Sequence, residues 1–504
     1  MAKTYCKKQP PFKRGFGILM PIFSLNSEYG IGNIGTAAKR FLDFLQLSGA
    51  SYWQVLPLGP TGYGDSPYQC LSAFAANPYF IDPEWLYKMG WITKDILEDF
   101  KFKNSEKVDY YKLYKTRDKL LFLAFEGYLK QDSNALKEKY MFFLKKASFW
   151  LEDYAYFLSL KQYFSLKGRE DFEDFAIKSD AAKAFVDQNL KQSKDFIIFK
   201  EFAFWLEWCE LKQYAKNKGI ELIGDIPLYV SNDSADVWAN PSLFMLDNDY
   251  RASFVAGVPP DIFSKNGQLW GNPLYDWQKH EQTDYKWWKE RIAWQTQLFD
   301  IIRIDHFIGI CEYYKIPATA KNAKNGEWCK GPSFELISAI KAHSKKARFI
   351  AEDLGNVTKE VIKVLKRSGF PSMKIMQFGF NGGENPHAPY NITQNTVVYT
   401  GTHDNQTLTG FLKSCDKNTL KYIKKYLNVR QNERIVSEII REAFKSSSNT
   451  VILPLQDILG LDDDARINTP STLKGNWSWK MNLDPSEETA KTLLELATIY
   501  NRKR

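Results

Sequence analysis

Short hydrophobic runs recur along nearly the whole chain, separated by polar or amphipathic stretches. Eight runs rich in β-branched and aromatic residues predict strands, at 17–22, 52–56, 221–226, 300–304, 349–352, 373–378, 396–399 and 451–455. Between many of them apolar residues return at helical spacing, as Ala37, Phe41, Phe44 and Leu45 do within residues 36–47. Residues 357–367 and 433–444 show the same period. Strand–helix alternation through eight strands predicts an α/β fold, a (β/α)8 TIM barrel, rather than an open doubly wound sheet. No G-x-G-x-x-G follows the first strand, which weakens a dinucleotide-binding alternative.

Two interruptions break this rhythm. More than 150 residues separate the second strand from the third, and within them 109–131, 135–166, 179–192 and 199–218 read as helices. A mainly helical insertion over 84–218 is the simplest account. After the third strand, residues 227–284 are rich in Pro, Gly, Asn and Asp, too long for an ordinary connection. Trp238, Phe244, Phe254, Phe263 and Trp270 supply burial there, so this long loop region is expected to be ordered. All of 1–504 then forms one catalytic barrel carrying both additions.

Three of the runs end on a carboxylate: 299–307 (FDIIRIDHF), 348–355 (RFIAEDLG) and 396–405 (TVVYTGTHDN). Asp305, Glu352 and Asp404 follow one another at intervals of 47 and 52 residues, each room for one strand, one helix and their loops. A charge at the end of a buried strand is costly in a core and natural at the mouth of a barrel, where strand ends converge on one pocket. Residues two apart on a strand share a side, so Arg303 and Asp305 face one way. The guanidinium favours the anionic form of Asp305, as a nucleophile requires. Glu352 follows Phe349, Ile350 and Ala351, and apolar surroundings favour a protonated carboxyl able to act as a general acid.

Composition narrows the partners. Hydrophobic content of 44% with 25% charged residues is ordinary for a globular chain. The 15 Trp, 27 Tyr and 35 Phe are more than usual; a large aromatic core accounts for most, and flat rings also stack on sugar faces. The net charge of +9 is spread among interspersed lysines and acids, apart from a basic stretch at 501–504, so nucleic-acid binding is not expected. Six cysteines, Cys6, Cys70, Cys209, Cys311, Cys329 and Cys415, lie far apart without a C-x-x-C pair, which points to neither a zinc site nor a disulfide framework. Lys3, Lys7 and Lys8 precede no apolar segment of signal-peptide type, and no run of about 18 apolar residues predicts a membrane span. The expectation is a reduced, cytoplasmic protein.

Three carboxylates at one barrel mouth suit glycoside chemistry. One attacks the anomeric carbon, a second protonates the leaving oxygen, and a third stabilises the positive charge of the transition state. Metal-assisted hydrolysis is the rival, since Asp305, His306, Glu352, His403 and Asp404 are all possible ligands. It lacks an H-x-H or H-E-x-x-H motif, and Arg303 would repel a cation. A catalytically silent glucan-binding barrel is a further alternative, opposed by the intact carboxylates.

Longer motifs decide between these. Residues 53–77 (WQVLPLGPTGYGDSPYQCLSAFAAN), 224–230 (GDIPLYV), 255–275 (VAGVPPDIFSKNGQLWGNPLY), 302–307 (IRIDHF), 351–355 (AEDLG) and 400–405 (TGTHDN) closely resemble the 4-α-glucanotransferases called amylomaltases or disproportionating enzymes, of the α-amylase clan. The resemblance implies Asp305 as nucleophile, Glu352 as acid/base and Asp404 as transition-state stabiliser. It implies sugar contacts from Tyr68, Asp225, Arg303, His306 and His403, with Trp270 in a loop over the acceptor subsites. Residues 227–284 become a substrate-covering region. The implied partners are α-1,4-glucans, maltooligosaccharides and glucose, with no cofactor and no metal. Gln406, Lys265 and Ser471 depart from the family pattern, where Asp, an acidic residue and Gly respectively are frequent. They bear on acceptor preference and the balance of transfer and hydrolysis, not on the reaction type.

Overall fold

A computed structural model describes residues 7–504 other than 63, 104, 261–263, 431–433 and 473; Cys6, Phe263 and Glu433 therefore lie outside the described residues. Eight strands form where the apolar runs lie: Gly15–Leu19, Tyr52–Gln54, Glu221–Ile226, Ile301–Ile304, Phe349–Ala351, Ser372–Ile375, Thr396–Tyr399 and Thr450–Pro454. Their ladders are parallel, and the first strand pairs with both the second and the last. Across the remaining seam, the Ala351 N–H donates to the Pro371 carbonyl at 3.1 Å. The sheet thus closes almost completely, and the (β/α)8 barrel is the fold.

Among the barrel strands the differences from expectation fall at their ends. The first strand stops at Leu19 rather than Ile22, because Ile22–Ser24 already turns as a 3-10 helix. The sixth ends at Ile375 opposite Tyr399, after which Met376–Phe378 turns and the Gly379 N–H donates to the Met376 carbonyl at 2.9 Å. Helix Thr36–Leu47 forms as expected, burying Ala37, Ala38, Phe41, Leu42, Phe44 and Leu45 against the barrel. In the third strand Gly224 lies against the Phe299 ring, where a Cβ would approach within 2.1 Å. Gly224→Ala is expected to cost about 1–3 kcal/mol by overpacking. The measurement is the urea midpoint at constant slope, and an unchanged midpoint would mean that the ring simply moves aside.

Between the second and third barrel strands lie helices Tyr110–Leu129, Asn134–Ala147, Leu151–Tyr163, Asp180–Asn189 and Lys191–Asn217. The sequence pattern joins the second and third of these into one, but the chain turns at Trp150. That ring is buried against Phe74 and Trp294, which a continuous helix would not allow. Lys191–Asn217 starts before the expected Phe199, because Ile197 and Ile198 bury and carry the polar stretch before them into the helix.

Residues 227–284 hold two strands that the pattern hides. Phe254–Val258 and Gln268–Pro273 join Glu312–Pro317 and Glu327–Lys330 in a four-stranded antiparallel sheet. Half of its strands come from beyond the fourth barrel strand, so no local alternation announces it. Val255, Tyr314, Ile316 and Ala323 give this sheet a small core of its own. Helices Ala235–Ala239 and Trp277–Gln282 lie on either side of its first two strands in sequence.

The basic stretch at the chain's end is partly internal. Arg502 is fully buried and donates to the carbonyls of Gly15, Phe444, Ser446, Ser448 and Asn449, tying the last helix to the first and last barrel strands. Among the described residues no helix is long and apolar enough to cross a membrane.

Candidate active site

The third and fourth barrel strands run in register, with Asp225 opposite Arg303. Their ends bring three charges together. Arg303 Nη1 lies 2.6 Å from each oxygen of Asp225 and 2.9 Å from Asp305 Oδ1. Burial disfavours the Arg303 cation, but Asp225 and Asp305 outweigh it and hold the guanidinium charged. Burial likewise pushes the Asp225 carboxyl upward, with Arg303 opposing. Arg303 and Asp225 are sealed in, whereas the Asp305 side chain is 27% exposed and so open to a reactant.

Glu352 follows the fifth strand and is buried. Its Oε2 accepts the His306 N–H at 2.7 Å and its Oε1 the Leu354 N–H at 2.9 Å. His306 has a left-handed backbone, φ 47°, which costs a non-glycine residue energy and turns its N–H toward Glu352. Burial first and the Asp305 charge second raise the Glu352 carboxyl to about 8, against the lowering effects of Arg303 and the Leu354 N–H. Arg348, at the start of the run that leads to Glu352, pairs with Glu221 at 2.6 Å. Among the described residues Glu352 forms no salt bridge, and Arg303 acts on it only at longer range.

Asp404 and His403 come from the loop after the seventh strand. His403 Nε2 is 3.4 Å from Asp404 Oδ1, and the His403 ring stacks on Tyr68 with centroids 5.0 Å apart at 17°. The Tyr68 hydroxyl donates to Asp225 Oδ2 at 2.8 Å. Burial and the neighbouring Asp225 raise that phenol well above its ordinary value, so it stays a donor. A continuous polar chain thus runs from Asp404 through His403, Tyr68, Asp225 and Arg303 to Asp305. Asp404 stands at its edge, 48% exposed. Beneath the cluster, Tyr399 and Gln54 bond to each other at 2.7 Å inside the barrel.

The antiparallel sheet reaches the site through Trp270. Trp270 meets the His306 ring edge-on, centroids 4.8 Å apart, and Tyr229 stands beside both. Gln69 Nε2 donates to the Asn272 side chain at 3.0 Å, linking the Tyr68 loop to the strand Gln268–Pro273. Burial lowers His306 to about 4 against the pull of Asp305, so its imidazole is neutral near pH 7. A neutral ring both donates and accepts toward hydroxyl groups.

One wall of the site has no counterpart in the sequence reading. Arg466, Asn468 and Trp477 come from the polar segment after the eighth strand. Asn468 Nδ2 donates to Asp404 Oδ1 at 2.6 Å, and Trp477 lies 5.8 Å from the Tyr68 ring and 5.9 Å from that of His403. The aromatic Asn476-Trp477-Ser478-Trp479 stretch was the available signal, a local run of rings amid polar residues. Among the departures from the family pattern, Ser471 has φ 64°, a conformation that favours glycine. Gln406 bonds Asp463 at 2.7 Å through its side chain, and Lys265 is exposed.

Chemically, the arrangement sets a carboxyl that keeps its proton near neutrality beside a reachable carboxylate paired with arginine. Such a pair suits cleavage of an acetal with acid assistance. Among the described residues no group of three His, Cys, Asp or Glu side chains is placed to hold a metal ion.

Known proteins share this architecture. The profile of the family described as 4-alpha-glucanotransferase matches residues 20–484. The chain is 42% identical over 497 residues to a 4-alpha-glucanotransferase of Streptococcus pneumoniae, covering 97% of this chain and 98% of that protein. A 4-alpha-glucanotransferase of Thermus thermophilus is 40% identical over 480 residues, 93% of this chain and 95% of that protein. Among solved structures, an amylomaltase from Streptococcus agalactiae in complex with acarbose has a TM-score of 0.94 at 39% identity, covering 98% and 100% of the two chains. The amylomaltase of Corynebacterium glutamicum, 16% identical with a TM-score of 0.80 over 97% and 75%, shares the fold.

Proposed function

The chain belongs to the 4-alpha-glucanotransferase family and is a retaining enzyme of that class, and on this premise we propose which residues carry the reaction. Asp305 attacks the anomeric carbon of an α-1,4-linked glucosyl unit. The bond from that carbon to the leaving O4 breaks, and Glu352 gives its proton to the leaving oxygen. The glucanyl–Asp305 ester then reacts with the 4-hydroxyl of a glucose or maltooligosaccharide. The new C1–O4 bond forms, the ester C1–O bond breaks, and the hydroxyl proton returns to Glu352.

The observation that carries this division of roles is the contrast between two neighbouring carboxyls. Glu352 is buried and, among the described residues, forms no salt bridge, which favours its protonated form; Asp305 is reachable and ion-paired to Arg303. Asp404 stabilises the positive charge that develops at the anomeric centre. Tyr68, Asp225, Arg303, His306 and His403 hold the sugar at the cleavage point, and Trp270 lies over the acceptor. Residues 84–218 are an insertion on a single catalytic unit spanning 1–504, and 227–284 form its substrate-covering part. Covering excludes water and favours a sugar acceptor over hydrolysis. A cytoplasmic setting is supported by free thiols at Cys70, Cys209, Cys311, Cys329 and Cys415.

Incubation with maltotriose is expected to yield glucose together with a ladder of longer maltodextrins, separated by anion-exchange chromatography. Glucose and maltose without longer products would make the protein a hydrolase. Binding without turnover would mark a silent glucan-binding barrel, and loss of the ladder on adding a chelator would revive the metal mechanism.

A further inference from the structure

Asp404 occupies an awkward place for a stabilising carboxylate. It sits in an irregular loop with its side chain half exposed. The two ends of that loop are well anchored. Asn405 Oδ1 accepts the Thr402 N–H at 2.8 Å, and the Gln377 side chain donates to the Gln406 carbonyl at 2.8 Å. Asp457 accepts from the Thr400 hydroxyl at 2.6 Å and the Leu408 N–H at 2.7 Å. None of these bonds touches Asp404 itself; within the loop its N–H reaches Thr402 Oγ1 at a longer 3.3 Å.

Arg466 does. Its Nη2 donates to the Asp404 carbonyl at 2.7 Å and its Nε to the Asn468 carbonyl at 2.7 Å. The side chains of those same two residues meet at 2.6 Å, Asn468 Nδ2 to Asp404 Oδ1. The Asn468 N–H also donates to the His403 carbonyl at 3.1 Å. One planar guanidinium therefore sets the spacing of both backbones whose side chains must touch, a geometry that a rigid fork holds and a flexible ammonium does not.

We propose that Arg466 is a positioning residue that holds the Asp404 carboxylate in its stabilising orientation by clamping the seventh-strand loop to the Arg466–Asn468 segment; this rests on the reading of Asp404 given above. Arg466 touches no reacting atom in this scheme and acts only through Asp404 and Asn468. Its contribution appears in the transition state, so its loss lowers kcat and leaves KM nearly unchanged.

The test is a double-mutant cycle with α-maltotriosyl fluoride as donor, which keeps slow variants measurable. Arg466→Met is expected to lower kcat about 10²-fold, the scale of a small misplacement of a catalytic group. Arg466→Lys should recover only part of that loss. In the Asp404→Asn background, Arg466→Met should cost less than about 3-fold, because the group it positions is already gone. Losses that multiply in full in that background would overturn the proposal, as would a kcat unchanged by Arg466→Met. Should the Met variant fail to fold, Arg466→Lys decides: a kcat loss with an unchanged melting temperature supports the clamp, and full activity rejects it. If Asp404→Asn alone leaves the rate intact, the stabiliser reading fails instead, and the cycle separates the two failures.

Discussion

The Asp305→Asn variant is expected to transfer glucan from maltotriose at least ~10³-fold more slowly than the parent, the scale seen when a catalytic nucleophile is removed. The amide is nearly isosteric but cannot form the ester to the anomeric carbon. Arg303 keeps Asp225 as its nearer partner, at 2.6 Å, so the site should hold its shape and still bind glucan. Two measurements check this. The melting temperature should change little, while the rate collapses. In Asp305→Gly, azide with an α-glucosyl fluoride donor should restore turnover and give a β-glycosyl azide, since the small anion takes the vacated place on the β face. A variant that retains a tenth of the parent rate would show that the nucleophile lies elsewhere.

Glu352→Gln should slow transfer from maltotriose about 10²–10⁴-fold, the usual contribution of a general acid. With an α-glucosyl fluoride the loss should be far smaller for the first step, because fluoride departs without a proton. Equal losses with both donors would sink the acid assignment. The same residue sets a pH limb. Its carboxyl is raised to about 8, so the protonated, competent form prevails below that pH and is lost above it. The parent kcat/KM for maltotriose should therefore fall as pH rises through about 8. Stability follows the same sign. The folded chain keeps this proton after the unfolded chain has released it, so the contribution of Glu352 to stability is lost as pH rises from the ordinary carboxyl range to about 8. Glu352→Gln should remove that dependence, as read by urea melts at several pH values.

Much of this site is legible in the chain because strand ends are legible. Asp305, Glu352 and Asp404 terminate runs whose alternation and length predict buried strands, and charge at such an end needs a pocket. Arg303 and Asp305 share a side by the two-residue period, and the ion pair between them forms at 2.9 Å. The apolar residues before Glu352 anticipate its burial, although the second cause of its shift, the charge on Asp305, comes from a different strand. Asp225 proves to be the closer partner of Arg303, a pairing set by register between strands rather than by spacing within one.

Other elements left little trace. The four-stranded antiparallel sheet draws its strands from both sides of the fourth barrel strand, and Gly257 within it leaves room where a Cβ would meet the Gln268 carbonyl oxygen at 2.1 Å. Such a strand shows no clean alternation. Arg466, Asn468 and Trp477 lie in a polar segment without helical or strand period. Arg466 resembles any surface arginine until the fold brings two carbonyls to it.

The sequence alone determined the barrel, its eight strands and the three carboxylates that follow the fourth, fifth and seventh. These follow from the local periodicity of apolar residues and from motifs that are continuous in the chain. Only the tertiary structure decided which groups meet: Arg303 shared by Asp225 and Asp305, the His306 N–H on Glu352, and Arg466 beneath Asp404. The reason is physical. Periodicity records which face of an element is buried, whereas an ion pair or a clamp depends on where closure of the barrel places residues far apart in the chain.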